Sequence, residues 1–128
     1  MALLVLDTSV LVGMWPPPAR AAVSAVSIGE LHAGVELVAH DPAEERLRRQ
    51  RLEKVLAAYD VLPVDLDVAR AFGGLLALSR RTQGPRNRAE LLIAASAVVH
   101  GAGLATVDRR LAAFARRAGL DVVEPPES

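Results

Sequence analysis

The 128-residue sequence contains no cysteine, which excludes a disulfide framework, a thiolate metal site and a cysteine nucleophile. Aromatic side chains make up only 3% of the residues, too few for a nucleic-acid surface built on stacked bases. No apolar run approaches the roughly 18 residues of a membrane span, and no basic segment precedes the apolar start of the chain. We therefore expect no membrane contact, no secretory signal and a cytoplasmic location.

An excess of charge of either sign is also missing, because fifteen Lys and Arg residues balance fifteen Asp and Glu residues. Zero net charge argues against the binding of nucleic acid by bulk charge alone, although it permits a local basic patch. The hydrophobic fraction of 52% and the length are typical of an ordinary globular domain. Because neither a repeat nor a long linker divides the chain, we predict a single domain over residues 1–128.

Short apolar segments alternate with segments of helical periodicity along the chain. The apolar segments predict strands or extended pieces at residues 2–6, 23–26, 61–64, 103–107 and 120–123. A proline-rich loop is predicted at residues 15–18, because consecutive prolines cannot continue a helix or a central strand. The alternation predicts an α/β fold in which a short parallel sheet lies between layers of helices.

Capping patterns predict where several helices begin. Ser27-x-x-Glu30 and Asn87-x-x-Glu90 both fit a capping box, which places Glu30 and Glu90 in first helical turns. Pro42 suits the first turn of another helix, which is predicted to run to about residue 58. That helix carries four arginines that we expect on a solvated face, at positions 46, 48, 49 and 51.

Two of the acidic residues follow predicted strands directly, namely Asp7 and Asp108. Because ligands bind at the carboxyl ends of parallel strands, we expect Asp7 and Asp108 to converge there with Glu30 and Glu90. Each of the four also has a purely structural explanation as part of a helix cap. Two like charges about 4 Å apart repel by roughly 4 kcal/mol at an effective dielectric of 20, so convergence requires a cation or a protonated carboxyl. Oxygen ligands of this kind suit Mg²⁺ or Mn²⁺.

Four segments resemble successive motifs of PIN-domain ribonucleases, most of all those of the VapC toxins of bacterial VapBC toxin–antitoxin pairs. They are LDTSVLV at residues 6–12, VSIGELHAGV at 26–35, ELLIAASA at 90–97 and LATVD at 104–108. The resemblance implies a PIN-like three-layer fold. It places the acidic cluster of the family on Asp7, Glu30, Glu90 and Asp108. The family usually has Asp at the position that Glu90 occupies here.

The resemblance implies hydrolysis of RNA phosphodiester bonds by water activated on Mg²⁺ or Mn²⁺, with a 5′ phosphate and a 3′ hydroxyl as product ends. Asp7 is then expected to be the chief metal ligand, followed by Glu90 and Asp108. Glu30 is expected either to bind the metal or to orient the attacking water. The sequence leaves open whether one ion or two are bound.

Several neighbouring residues are expected to support this site. Thr8, Ser9 and Thr106 match family positions that hydrogen-bond a ligand carboxylate or a metal-bound water, and they equally suit turns and caps. Arg86 and Arg88 precede the helix of Glu90 and are candidates for contact with an RNA phosphate, with a solvated turn as the alternative.

The resemblance also implies a VapB-type antitoxin partner and a homodimer. Two other functions stay open: a PIN nuclease of ordinary RNA processing, and a catalytically impaired module that binds RNA or a partner without cutting. Other folds with aspartates at strand ends do not match. A haloacid-dehalogenase-type phosphatase needs an Asp where Ser9 stands, a response-regulator receiver needs a lysine later than Lys54, and a phosphate-binding P-loop motif is absent.

Overall fold

The computed structural model describes residues 3–13 and 20–124, and five parallel strands form one sheet in this part of the chain. The strands are β1 (Leu4–Leu6), β2 (Ala21–Ser24), β3 (Asp60–Leu62), β4 (Gly103–Ala105) and β5 (Val122–Val123). Their order across the sheet is β3-β2-β1-β4-β5. Leu6 pairs with Val23 on one side and with Ala105 on the other. The carboxyl ends of β1, β2 and β4 therefore meet at one edge of the sheet.

Helices cover both faces of the sheet. They are α1 (Thr8–Val12), α2 (Ala25–Leu37), α3 (Pro42–Ala58), α4 (Leu66–Thr82), α5 (Arg88–Val99) and α6 (Arg109–Arg117). Each connection between neighbouring parallel strands contains at least one helix, as parallel pairing requires. None of the helices in the described residues combines the length and the apolarity that a membrane span needs.

Two buried apolar clusters lie on opposite faces of the sheet, because successive side chains of a strand point to opposite sides. Val5 belongs to the cluster that α4, α5 and α6 cover, whereas Leu4 and Leu6 belong to the cluster under α1, α2 and α3. Leu91 of α5 is fully buried in the first cluster, and Val10 of α1 is almost fully buried in the second. The predicted α/β fold, with a parallel sheet between two layers of helices, is confirmed.

The start of α2 differs from its prediction. Ser24, not Ser27, caps the helix, because Oγ of Ser24 accepts a hydrogen bond of 3.1 Å from the backbone N–H of Val26. Ser27 is buried inside the helix. Glu30 consequently lies in the second turn of α2, and its predicted place in the first turn is wrong. Ser24 is the last residue of β2, and the helix begins directly after it at Ala25, whereas the predicted strand ran to residue 26.

Most other boundaries agree with prediction to within two residues. The helix that begins at Pro42 ends at Ala58, and the helix predicted after Asn87 begins at Arg88. The extended piece predicted at 61–64 is β3, which begins one residue earlier and ends at Leu62. Strand β4 ends at Ala105, so Thr106 and Val107 belong to the turn that follows. The proline-rich loop predicted at residues 15–18 lies outside the described residues.

Candidate active site

Asp7 is the buried centre of the predicted acidic cluster and follows β1 directly. Its side chain is only 4% exposed. Oδ2 accepts two hydrogen bonds, from Oγ of Ser9 at 2.7 Å and from Oγ1 of Thr106 at 2.9 Å. The residue stands at the N-cap position of α1, yet its side chain accepts no backbone N–H there, so the cap explanation is wrong for Asp7. Two hydroxyl donors offset part of the cost of burying this carboxylate.

The two hydroxyls that bind Asp7 are themselves held by the turn after β4. The backbone N–H of Val107 donates to Oγ of Ser9 at 3.3 Å, and that of Asp108 donates to Oγ1 of Thr106 at 3.0 Å. Each hydroxyl therefore accepts from the backbone and directs its own hydrogen at Asp7. Within the described residues nothing donates to Oδ1 of Asp7, which leaves that oxygen free to bind a cation.

Asp108 is the N-cap residue of α6. Its Oδ1 accepts hydrogen bonds from the backbone N–H groups of Arg110 at 2.9 Å and of Leu111 at 3.1 Å. The structural explanation as a cap is therefore correct for Asp108, but it occupies one carboxylate oxygen only. The cap fixes the side chain at the carboxyl end of β4, where its other oxygen remains available.

Glu90 lies in the first turn of α5, as predicted, after the cap residue Asn87. Oδ1 of Asn87 accepts hydrogen bonds from the backbone N–H groups of Ala89 at 2.9 Å and of Glu90 at 3.3 Å. The pKa of Glu90 is raised from 4.5 to about 7 by burial, by the negative charges of Asp108 and Asp7, by a hydrogen bond with Asp108 and by the charge of Glu30. All three other members of the cluster thus act on the Glu90 carboxyl, and the four side chains meet at one sheet edge.

Glu30 lies at the exposed rim of this cluster. Its Oε1 is 2.6 Å from Oγ1 of Thr8, which donates to the carboxylate, and the same Oγ1 is 2.9 Å from Oγ of Ser27. Thr8 of α1 therefore holds Glu30 directly, and Ser27 in the first turn of α2 in turn holds Thr8. Ser27 had no predicted role beyond capping. Its spacing of three residues from Glu30, on the same helix face, is the signal that would have found it.

The cluster contains only oxygen donors, which fits Mg²⁺ or Mn²⁺. In the part of the chain that the structure describes, however, no three acidic or histidine side chains are already gathered at metal-ligand spacing. Hydroxyls hold Asp7, backbone amides hold Asp108, and Thr8 holds Glu30. The residues fit a divalent cation chemically, and binding one would require Glu90 or Glu30 to turn toward Asp7.

The predicted basic residues lie beside the cluster rather than in it. Arg86 in the connection from α4 and Arg88 at the start of α5 are both exposed, and Arg80 lines the same cavity of about 400 Å³. Arg80 had no predicted role, although the pair Arg80-Arg81 shortly before Gly84-Pro85 was a visible signal.

The prediction for the arginines of α3 is correct for two of them and wrong for two. Arg46 and Arg49 are exposed, whereas Arg48 and Arg51 are half-buried against α2. Nη1 of Arg48 donates to the carbonyl oxygen of Gly34 at 3.1 Å. The inner face of α3 also carries Leu52 and Val55 at helical spacing, and that periodicity was the available signal.

A family model of the PIN domain matches residues 4–118 of the chain. The chain belongs to the PIN-domain family. This PIN-domain protein is 35% identical, across 98% of its length, to VapC ribonuclease Y4jK of Sinorhizobium fredii, of which it covers 99%. It is also 35% identical to the plasmid stability protein StbB of Pseudomonas syringae pv. tomato, with 83% of this chain and 76% of that protein covered.

The solved structures lead to the same family. VapBC-5 of Mycobacterium tuberculosis, a member of the VapBC family of toxin–antitoxin systems, matches with a TM-score of 0.80 at 30% identity. The match covers 99% of this PIN-domain protein and 100% of that chain. The predicted resemblance to the VapC-type PIN-domain ribonucleases is confirmed, and so is the predicted three-layer fold.

Proposed function

We propose that this PIN-domain protein is a metal-dependent ribonuclease and the toxin of a type II toxin–antitoxin pair. The observation that carries the proposal is the held, buried carboxylate of Asp7, together with Glu90, on whose carboxyl the charges of Asp7, Asp108 and Glu30 all act. All four occupy the positions of the family's acidic motifs. The relationship to a protein named VapC ribonuclease supports RNA as the substrate.

Three carboxylates of the cluster would hold the ion. Oδ1 of Asp7 is the strongest candidate ligand, because its partner oxygen is fixed by two hydroxyls, and Asp108 and Glu90 follow. When bound, Mg²⁺ or Mn²⁺ supplies the positive charge that activates water and offsets charge on the phosphoryl oxygens. Ser9 and Thr106 hold Asp7 in one orientation, so the ligand geometry is fixed before substrate arrives.

Glu30 has a different role in this proposal. Its carboxylate is exposed at the rim and is oriented by Thr8. From there Glu30 would orient the water whose oxygen bonds to phosphorus as the bond from phosphorus to the 3′ oxygen breaks. The proton that this water loses passes to solvent, and the 3′ oxygen takes a proton from solvent and leaves as a hydroxyl. The products are a 5′ phosphate end and a 3′ hydroxyl end.

The partners follow from the same relationship. The solved structure of VapBC-5 belongs to a family of toxin–antitoxin systems, which supports a VapB-type antitoxin as the partner of this protein. We further propose a homodimer, which the family resemblance implies, and a cytoplasmic location, which the sequence predicts.

Mapping of RNA ends after induced expression tests the function directly. Wild-type protein is expected to produce new 5′-phosphate ends at defined sites in cellular RNA and to arrest growth, whereas the Asp7→Asn variant produces neither. Intact RNA in wild-type cells that nevertheless co-purifies with the protein would contradict the proposal and favour a catalytically impaired module. Cleavage without growth arrest, and with no co-purifying antitoxin, would favour an enzyme of ordinary RNA processing.

A further inference from the structure

The charges of this neutral chain are unevenly distributed along the fold. Residues 80–117 contain only two acidic residues, Glu90 and Asp108, and both belong to the acidic cluster. The same segment contains eight of the fourteen arginines, at positions 80, 81, 86, 88, 109, 110, 116 and 117. Residues 30–67, by contrast, contain nine acidic and five basic residues. The surface around the connection from α4 to α5 is therefore rich in arginine, whereas basic and acidic residues alternate on α3.

Three of these arginines line one cavity. Arg80 of α4, Arg86 of the connection and Arg88 of α5 surround a space of about 400 Å³, whose apolar wall includes Leu76 and Pro85. None of the described residues that line this cavity carries a carboxylate. Within the described residues none of the three guanidinium groups has a hydrogen-bond or ion-pair partner, so their donors are available to a ligand.

The connection that forms this cavity is fixed from two sides. The backbone N–H of Gly84 donates to the carbonyl oxygen of Ser79 at 2.8 Å, and the hydroxyl of Ser79 donates to the carbonyl oxygen of Pro85. From α6, Nη2 of Arg110 donates to the carbonyl oxygens of Gln83 at 3.3 Å and of Gly84 at 3.0 Å. The backbone next to Arg86 is thus held in place before any ligand binds.

Gly84 permits this packing because it has no side chain. A Cβ at that position would lie 2.8 Å from Cδ1 of Phe114 in α6. The close approach keeps the connection against α6, between Arg110 on one side and the arginine-lined cavity on the other.

We propose that the cavity lined by Arg80, Arg86 and Arg88 binds a backbone phosphate of the RNA outside the scissile bond. The inference rests on the proposed ribonuclease function. Arg88 and Glu90 share the first turn of α5, so an RNA chain at the acidic cluster passes next to this cavity. Guanidinium groups bind phosphate through paired hydrogen bonds. On α3, by contrast, Arg48 and Arg49 are already paired with Glu44 and Glu45, at 3.0 and 2.8 Å.

Salt-dependent RNA binding tests this assignment. The Asp7→Asn protein, which should bind without cutting, is titrated with a fluorescein-labelled single-stranded RNA over a series of salt concentrations. Arg80→Ala, Arg86→Ala and Arg88→Ala are compared in that background. Each is expected to weaken binding and to make the slope of log K against log salt shallower by about 0.7 for each lost phosphate contact.

Arg46→Ala is the matched control, since Arg46 is an exposed arginine on α3. It is expected to leave the salt slope unchanged. Equal small decreases of RNA affinity in all four variants would overturn the proposal, because they would show that RNA responds to the total charge of the protein and not to a specific site. Unchanged RNA binding in the three cavity variants would also overturn it and would favour a protein partner at this surface. Light scattering on each variant detects a change of oligomeric state, and weaker RNA binding found only with such a change would count against the proposal.

A parallel arm separates this inference from the proposed function. Wild-type protein and the three cavity variants, each with Asp7 intact, are assayed for RNA cleavage. If wild type cleaves RNA while the cavity variants bind and cleave equally well, the cavity assignment fails and the ribonuclease function stands. If wild type cleaves no RNA, the proposed function fails whatever the salt slopes are.

Discussion

Thr106 donates a hydrogen bond of 2.9 Å to Oδ2 of Asp7 and so joins the residues that follow two neighbouring strands, β4 and β1. The same hydroxyl oxygen accepts the backbone N–H of Asp108. One buried threonine therefore connects two members of the acidic cluster that are about a hundred residues apart in the sequence. It gives Asp7 a single orientation, and this accounts for a carboxylate that is almost fully buried yet keeps one oxygen free.

The Thr106→Val variant is expected to lower kcat with little change in KM. Valine has nearly the same shape but neither donates to Asp7 nor accepts from Asp108, and a buried group left unpaired costs about 1–3 kcal/mol of stability. Thr82→Val is the matched control, because Thr82 bonds only to the carbonyl oxygen of Leu78 in α4. Steady-state cleavage kinetics on both variants check this. An unchanged kcat in Thr106→Val would show that the hydrogen bond from Thr106 is not needed to orient the Asp7 carboxylate.

The free energy of unfolding of the metal-free protein is expected to fall as pH rises from about 4.5 to about 7. The pKa of Glu90 is raised from 4.5 to about 7 in the folded protein, so the folded state holds a proton that the unfolded state has lost in this range. The destabilisation is absent below this range and complete above it. Urea midpoints measured in EDTA across the range should fall more for wild type than for Glu90→Gln. Identical pH dependence in the two proteins would refute this role of Glu90.

The Glu90→Asp variant restores the usual residue of the family and is expected to raise cleavage activity or metal affinity, or to leave both unchanged. Asp is well tolerated in the first turn of a helix, where it interacts favourably with the helix dipole. Glu53→Asp, on the exposed face of α3, is the matched control for the loss of one methylene. Complete loss of cleavage in Glu90→Asp alone would show that the site is adapted to the longer side chain.

The sequence was sufficient to predict the layers of the fold and the position of Asp7 and Asp108 at the carboxyl edge of the sheet. Apolar strands alternate with helices, and Asp7 and Asp108 follow two strands that pair in parallel. The start of α2 was not predictable, because Ser24 and Ser27 both suit a cap and only the end of β2 decides between them. The hydrogen bond from Thr106 to Asp7 spans 99 residues, and local patterns carry no information about such a contact.

Divalent metal is expected to raise the melting temperature of wild type and to raise that of Asp7→Asn much less. Metal that binds only the folded state adds about 2.7 kcal/mol at 100 times its dissociation constant, and each kcal/mol is worth roughly 3–6 °C for a domain of this size. In EDTA, Asp7→Asn should melt higher than wild type, because it removes one repelling charge without removing a helix cap. Asp60→Asn is the matched control, because it makes the same change from Asp to Asn on the exposed strand β3. Equal metal responses in wild type and Asp7→Asn would show that Asp7 anchors no metal site.

Cleavage of RNA by purified protein, measured in EDTA and again after Mg²⁺ or Mn²⁺ is restored in excess, tests the central claim most directly. Wild type is expected to be inactive in EDTA and to recover full activity with the ion, with 5′-phosphate product ends. Asp7→Asn is expected to stay slower by orders of magnitude under both conditions. Full cleavage by wild type in EDTA would contradict a metal-dependent mechanism at these carboxylates.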